Sequence, residues 1–287
     1  MKNDHINFNE QREFGIVLNA TFSFLRQNIL KLGKALLLYA GPFILLQAIA
    51  RIYYEINIGN INTTVRIYGI SAFYGNFFLY FSIYMIATVL SSLMVMTTVY
   101  SYIKCYIEKG KDGFVLDEVW RNVTKYFLRI FGASFLGGIV ILIGTILCIL
   151  PGIYLSISLS LMMIIIVFEN KSFMDAYSRS FKLTHYHWWW IFLLFIVIYA
   201  INYVVSLVFA IPQVLITFSY RFNTLSSFNE VSDSIRYLLI FFTVITTFVS
   251  SLLMSIIYIA LTFEYYNIVE MKESPSLQQK IDELEHN

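Results

Sequence analysis

Five stretches of this chain contain no Lys, Arg, Asp or Glu: Ala35 to Ala50, Ile67 to Ile103, Ile130 to Phe168, Leu183 to Tyr220 and Tyr237 to Phe263. A charged side chain is expensive to hold in hydrocarbon, so gaps of this kind mark where membrane helices lie. A hydrocarbon core of about 30 Å needs roughly 20 apolar residues at 1.5 Å rise each. Four of the gaps exceed that length. The first reaches it when Leu30 to Tyr54 is read with lysines whose stems lie on apolar surface and whose ammonium groups reach water. Composition agrees. Of 287 residues, 58% are hydrophobic and 13% charged, about half the charge of a soluble domain. The reading is an all-α, polytopic transmembrane helical bundle.

The 39-residue gap from Ile130 would be about 58 Å long as one helix, nearly twice the bilayer core. Pro151 lacks a backbone donor and Gly152 tolerates a turn, so the pair is expected to form the corner between two spans. The stretch "IYGISAFYGN" at 67–76 is read as interfacial, with the next span starting near Phe77. Too few residues follow Pro212 for another crossing before Arg221. Six spans result, near 32–52, 77–103, 130–149, 153–169, 188–211 and 237–263. By this reading 1–31 is an N-terminal interfacial helix, 32–263 the six-span domain and 264–287 a tail. Alternate connecting segments hold 16 of the 20 Lys and Arg. The positive-inside bias then puts both termini in the cytoplasm. Residues 1–31 contain no signal-peptide pattern, so the first span is expected to serve as its own insertion signal. Cys105 and Cys148 are isolated and point to neither a disulfide framework nor a metal site.

Three segments on the basic side look alike: "EFGIVLNATFSFLRQNILKLGK", "GFVLDEVWRNVTKYFLRI" and "SFMDAYSRSFKLTHYHWWW". Each carries an apolar stripe at helical spacing. The stripes are Phe14, Val17, Leu18, Thr21, Phe22 and Leu25; then Val115, Leu116, Val119, Trp120, Val123 and Phe127; then Phe173, Ala176, Tyr177, Ser180 and Phe181. Amphipathic helices of this kind lie in the headgroup plane. Each precedes a pair of spans, which suggests a threefold helix-plus-hairpin repeat. Three unrelated juxtamembrane helices are the alternative. Small-xxx-small pairs such as Ala133 with Gly137 and Ser134 with Gly138 read as bundle packing before they read as a dimerisation face.

Chemistry is sparse. No charge is expected inside a span; Glu55, Glu169 and Glu264 are placed at span ends in reach of water. Gln47, Asn202 and Gln213 read as interhelical hydrogen-bonding groups. His185 and His187, two residues apart, point to opposite faces of a helix and do not suit one metal ion. With Tyr186 and Trp188, Trp189 and Trp190 they form an aromatic belt at headgroup level. Ser172 and Asp175 have the spacing of a capping box. Glu169, Asp175 and Arg179 are expected to tie the third interfacial helix to the end of span four, with Asp175 and Arg179 an i,i+4 pair. Residues with a structural or lipid-headgroup role are Pro151, Gly152, Glu169, Asp175, Arg179, Lys182 and Trp188 to Trp190. No catalytic, cofactor-binding or metal-binding constellation is found, and no phosphate loop or nucleophile elbow. In the tail, Leu277, Ile281 and Leu284 share one helical face, although a solvated tail is the expectation.

The motifs "LPGIYL" at 150–155, Glu169 closing the next span, and "AYSRSFKL" at 176–183 before Trp188 to Trp190 carry a resemblance. With "REFGIVLNATFSFLRQN" and the following Gly41-Pro42, they resemble the membrane-domain family of membrane-anchored glycerophosphodiester phosphodiesterases and stand-alone bacterial membrane proteins. Phe181 stands where that family is expected to have Trp. The resemblance implies a helical module of the bacterial inner membrane. The catalytic barrel of some members needs some 250 residues, and 24 follow Phe263, so phosphodiesterase activity is not carried over. The expected function is non-enzymatic organisation of membrane lipids or partner proteins, with no cofactor and no nucleic acid. Homo-oligomerisation or a partner membrane protein fits the same reading. A small transporter or permease subunit is the alternative, favoured by the repeat and by helices broken near Pro42, Pro151 and Pro212.

Overall fold

The computed structural model describes residues 6–59, 61–226 and 233–274, and the side chains among these other than 58–73 and 219–233. The positions of Leu277, Ile281 and Leu284 lie outside the described residues. The described residues form nine α-helices and no strand: α1 (Phe14–Ala35), α2 (Gly41–Gly59), α3 (Ile61–Lys109), α4 (Leu116–Leu147), α5 (Ile149–Ser158), α6 (Met162–Phe168), α7 (Phe173–Thr184), α8 (Trp188–Ser226) and α9 (Asp233–Glu273). Six helical stretches are long and apolar enough to cross a membrane: Phe14–Asn57, Tyr74–Lys109, Leu116–Leu147, Ile149–Phe168, Trp188–Phe218 and Ser234–Glu273. This is the architecture of a multi-pass membrane protein.

Several boundaries differ from expectation for identifiable reasons. The corner between spans three and four falls at Cys148, whose backbone is extended (φ −169°, ψ 148°), and not at Pro151-Gly152. Pro151 and Gly152 instead lie in the first turn of α5, where a missing N–H leaves no helical bond unmade. Gly152 serves a close approach of helices: a Cβ there would sit 2.1 Å from Thr145 Oγ1 and 2.9 Å from Thr145 Cα. Around Pro42 the helix does not break but widens into a π-turn over Leu36–Ala40. Proline offers no N–H to the carbonyl four residues back and its ring crowds it, which a wider turn relieves. Pro212 lies inside α8. α3 starts at Ile61, well before Phe77. α9 runs past 263 to Glu273.

Two compact units emerge. Met1–Leu36, Met96–Tyr199 and Ser255–Asn287 make one; Leu37–Val95 and Ala200–Met254 make the other. The first unit has an aromatic core. Phe8 stacks on Phe263 at 4.3 Å and meets Phe24 edge-on at 5.7 Å, while Phe24 meets Tyr106 edge-on at 5.0 Å. The buried stripe of α1 is Val17, Thr21, Phe24, Asn28, Leu32 and Ala35, rotated from the apolar one, since Phe22 is exposed. On α4 it is Val119, Val123, Tyr126 and Ile130, with Trp120 exposed. On α7 it is Ala176, Ser180, Leu183 and Thr184. Of the three basic-side segments, only α7 is separate from the span that follows; α1 and α4 run straight into theirs. α7 packs on α6 and α5. There Ser180 Oγ donates to the Ser158 carbonyl at 2.6 Å, supplying a donor where span four is interrupted between α5 and α6.

The second unit carries a polar seam. Gln47, Arg51 and Glu55 recur every four residues on α2, and Ser251, Thr247 and Thr243 do the same on α9, so each trio shares one helical face. Arg51 donates to Glu55 Oε1 at 2.8 Å and to Thr247 at 3.2 Å. Thr243 donates to Glu55 Oε2 at 3.2 Å and Ser251 to Gln47 at 3.3 Å. Gln213 donates to Thr243 at 3.1 Å, and Asn202 to the Leu253 carbonyl at 3.2 Å. Gln47, Asn202 and Gln213 are thus interhelical hydrogen-bonding groups, as expected. The Arg51–Glu55 pair lies in the last seven residues of the stretch Phe14–Asn57, with Glu55 keeping 39% of its side-chain exposure.

Candidate functional site

The polar groups of the first unit gather where α6, α7 and α9 end and α1 and α8 begin. Glu169 follows α6 directly. Asn170 then takes a left-handed backbone (φ 53°), a conformation Asn tolerates better than most residues, and the chain turns into α7. Ser172 caps that helix: its hydroxyl accepts from the Asp175 N–H and donates to Asp175 Oδ2. This is the capping arrangement read from the sequence, and it engages Asp175 away from Arg179.

Arg179 is the hub. Its Nε donates to Glu169 Oε1 at 2.5 Å, and its Nη1 and Nη2 reach both carboxylate oxygens of Glu273 at 2.8 and 3.0 Å. The second contact is the two-pronged geometry that the planar guanidinium favours. Glu169 Oε1 also accepts from Tyr265 OH at 2.6 Å, and Oε2 from Lys171 at 2.9 Å. Burial alone would push the Glu169 carboxyl up, but the bonds from Tyr265, Lys171 and Arg179 outweigh it and hold it below the ordinary range. Arg179 is held even more firmly protonated, first by Glu273 and, against its partial burial, by Glu169. Nearby, Lys104 donates to Tyr126 OH and the Val167 carbonyl, and Tyr126 OH in turn donates to Asn170 Oδ1. Lys272 donates to the carbonyls of Lys182 and Leu183 at the C-terminal end of α7, where a cation also suits the helix dipole. With Arg179 bonded to the carboxylates of both Glu169 and Glu273, this network ties α7 to the end of α6 and to α9.

The Lys182 side chain is exposed. The indole of Trp188 donates to the Tyr154 carbonyl at 3.3 Å and stacks on the Tyr154 ring. Trp189 is 74% exposed. Trp190 lies 5.9 Å from Phe14. His185 meets the Tyr186 ring edge-on at 4.7 Å. Among the described residues no three His, Cys, Asp or Glu are placed to hold a metal ion.

Beside this network lies a cavity of about 450 Å³, lined by Arg12, Phe14, His187, Trp190, Glu264 and Asn267 among others. One of its two acids corrects an expectation. Glu264 is 4% exposed, not open to water, and its Oε2 accepts from Asn267 Nδ2 at 3.3 Å. Asn267 Oδ1 in turn accepts from the Arg12 N–H at 2.8 Å, joining α9 to the segment that leads into α1. The Arg12 guanidinium is spent elsewhere, on the carbonyls of Asn7, Phe8 and Glu10 and on the Glu10 carboxylate. His187 is shifted toward its neutral form by burial and by the charge of Lys272, and its Nδ1 is buried without a hydrogen-bond partner.

The model of the domain of unknown function DUF7847 matches residues 73–268. The chain belongs to this family. No curated protein and no solved structure matches it. The DUF7847 match takes in Glu169, Arg179, His187, Trp190, Glu264, Tyr265 and Asn267 and ends before Glu273. Glu264, Asn267 and Met271, which all line the cavity, stand at i, i+3 and i+7. That spacing was the available signal for a helix with a polar face. Reading 264 onward as a tail passed over it, and with it Tyr265 and Glu273.

Proposed function

We propose that this DUF7847 protein is a non-enzymatic membrane module that holds lipid at one face of the bilayer. The observation that carries the proposal is the cavity of about 450 Å³ bordered by Phe14 and Trp190, of a size that takes a small ligand and next to the exposed Trp189. Aromatic side chains at a span end belong at headgroup level. In this reading the protein lies in the bacterial cytoplasmic membrane with both termini inside, which is supported by the basic segments and by the resemblance to the membrane domains of glycerophosphodiester phosphodiesterases. Lys182 and Trp189 contact headgroups, whereas Arg179 acts as a tie. Lipid retained by the detergent-purified protein, counted by mass spectrometry, tests this. The wild type should carry lipid in stoichiometric amount, Lys182→Ala should lower it several-fold, and Arg179→Ala should leave retention per folded molecule unchanged. A wild type that emerges free of lipid contradicts the proposal.

A transporter is the second reading, supported by the Gln47–Arg51–Glu55 seam and by Asn202, whose Oδ1 is buried without a partner. The seam groups mostly bond one another, as structural interhelical ties do. The lipid module therefore leads.

A further inference from the structure

The cavity beside the Arg179 network has a chemical bias. Its two acids are Glu264, buried at its wall, and Glu13, exposed at its rim. Its one permanent cation, Arg12, has a side chain only 5% exposed and is paired with Glu10 at 2.8 Å. That positive charge is therefore already answered. His187, shifted toward its neutral form by burial and by Lys272, adds little positive charge. Among the lining residues, an anionic group entering here would meet Glu264 and Glu13 and no cation other than the paired Arg12. A cation would meet the Glu264 side chain, bonded to Asn267, and the aromatic pair Phe14 and Trp190, which line the cavity in contact with each other. Aromatic faces attract ammonium groups, most strongly where water is excluded. Met271 supplies a soft apolar wall for the attached carbons.

We propose that this cavity binds a compact alkylammonium group. The group sits against the Phe14–Trp190 pair, with Glu264 as its counter-ion and Asn267 as a hydrogen-bond acceptor. The expected source is the ammonium of a zwitterionic lipid headgroup, an assignment that rests on the lipid-holding role proposed above; a free amine would present the same chemistry.

The test uses the full chain in lipid nanodiscs and in detergent. Native mass spectrometry with short-chain phosphatidylethanolamine and phosphatidylglycerol should show the ethanolamine lipid bound at least about tenfold more tightly. Glu264→Gln, which keeps the shape and removes the charge, should weaken that binding about tenfold or more. Trp190→Leu should weaken it about threefold to tenfold; because Trp190 is exposed, this variant keeps the test usable if Glu264→Gln does not fold. Binding of tetramethylammonium chloride with the same dependence on Glu264 and Trp190, without lipid binding, would support the ammonium site and assign it to a free amine. Lipid held equally well by wild type and both variants would overturn the site while leaving the lipid role standing. A preference for phosphatidylglycerol would also overturn the site. Failure to bind any lipid or tetramethylammonium would sink both.

Discussion

Gly152→Val is expected to prevent accumulation of a folded, monodisperse protein, whereas Gly144→Ala is expected to be tolerated. Both glycines sit where α4 and α5 touch, and the neighbours differ in their freedom to move. A Cβ on Gly152 would meet the Thr145 Oγ1, Cα and Cβ at 2.1 to 2.9 Å. The Cα cannot retreat without moving α4 as a whole. A Cβ on Gly144 would meet Leu155 Cδ1 at 2.6 Å, the tip of a side chain that can change rotamer. Overpacking one methyl group against a yielding wall costs about 1 kcal/mol, and two further methyl groups against backbone cost roughly 3 kcal/mol or more. Detergent-solubilised yield and thermal midpoint, read by size-exclusion chromatography, would separate the two. A Gly152→Val protein with the wild-type profile would mean that the α4–α5 approach has been drawn too close.

The second large effect is expected at Arg179. Removing one partner from a fully buried pair costs about 3–5 kcal/mol. Here Arg179 and Glu169 keep 22% and 17% of their side-chain exposure, so water can partly replace what is lost, and Arg179→Ala should destabilise by about 1–3 kcal/mol. Arg179→Lys should recover less than half of that, because an ammonium cannot span Glu169 and the two oxygens of Glu273 with the same fork. The pH dependence follows from Glu169, whose folded-state pKa is held below its ordinary value. A depressed carboxyl contributes stability that is fully present above the unfolded-state pKa of about 4.3 and is lost as pH falls through the lower folded-state value. Wild type should therefore lose stability over Glu169→Gln on acidification below about pH 5 and show no such loss near neutrality. Thermal midpoints of the two proteins measured from pH 7 down to pH 4 check this. A gap between them that stays constant across the range would show that Glu169 is not the titrating tie.

The sequence foretold the spans better than the faces. Charge-free gaps report the hydrocarbon directly, because the bilayer penalises charge whatever the helix packs against. Apolar stripes report something else in such a chain. Phe22, Trp120 and Leu128 are exposed where lipid can take the place of a protein core, while Thr21, Asn28, Ser180 and Thr184 are buried. Helix contacts in a membrane select small and hydrogen-bonding residues, so a stripe read by hydrophobicity comes out rotated. The Ser172 cap and the tie from Glu169 to Arg179 were readable because both lie within a short stretch of chain, whereas Asp175 bonds Ser172 in place of the Arg179 expected at i,i+4. The Glu273 and Tyr265 partners were not, since they approach from 94 and 96 residues away. Pro151 misled for a related reason. Proline marks a place where a donor is missing, and the start of a helix satisfies that as well as a corner does.

The account stands on the α3–α4 connection and the Cys148 corner facing opposite sides of a membrane. Cys105 is buried and Cys148 exposed, so the natural chain already holds a reporter at the corner. An impermeant maleimide applied to intact cells should label Cys148, and in a Cys148→Ser background should label Lys111→Cys only after the membrane is opened. Labelling of both positions from the same side would show that the α4–α5 hairpin does not cross.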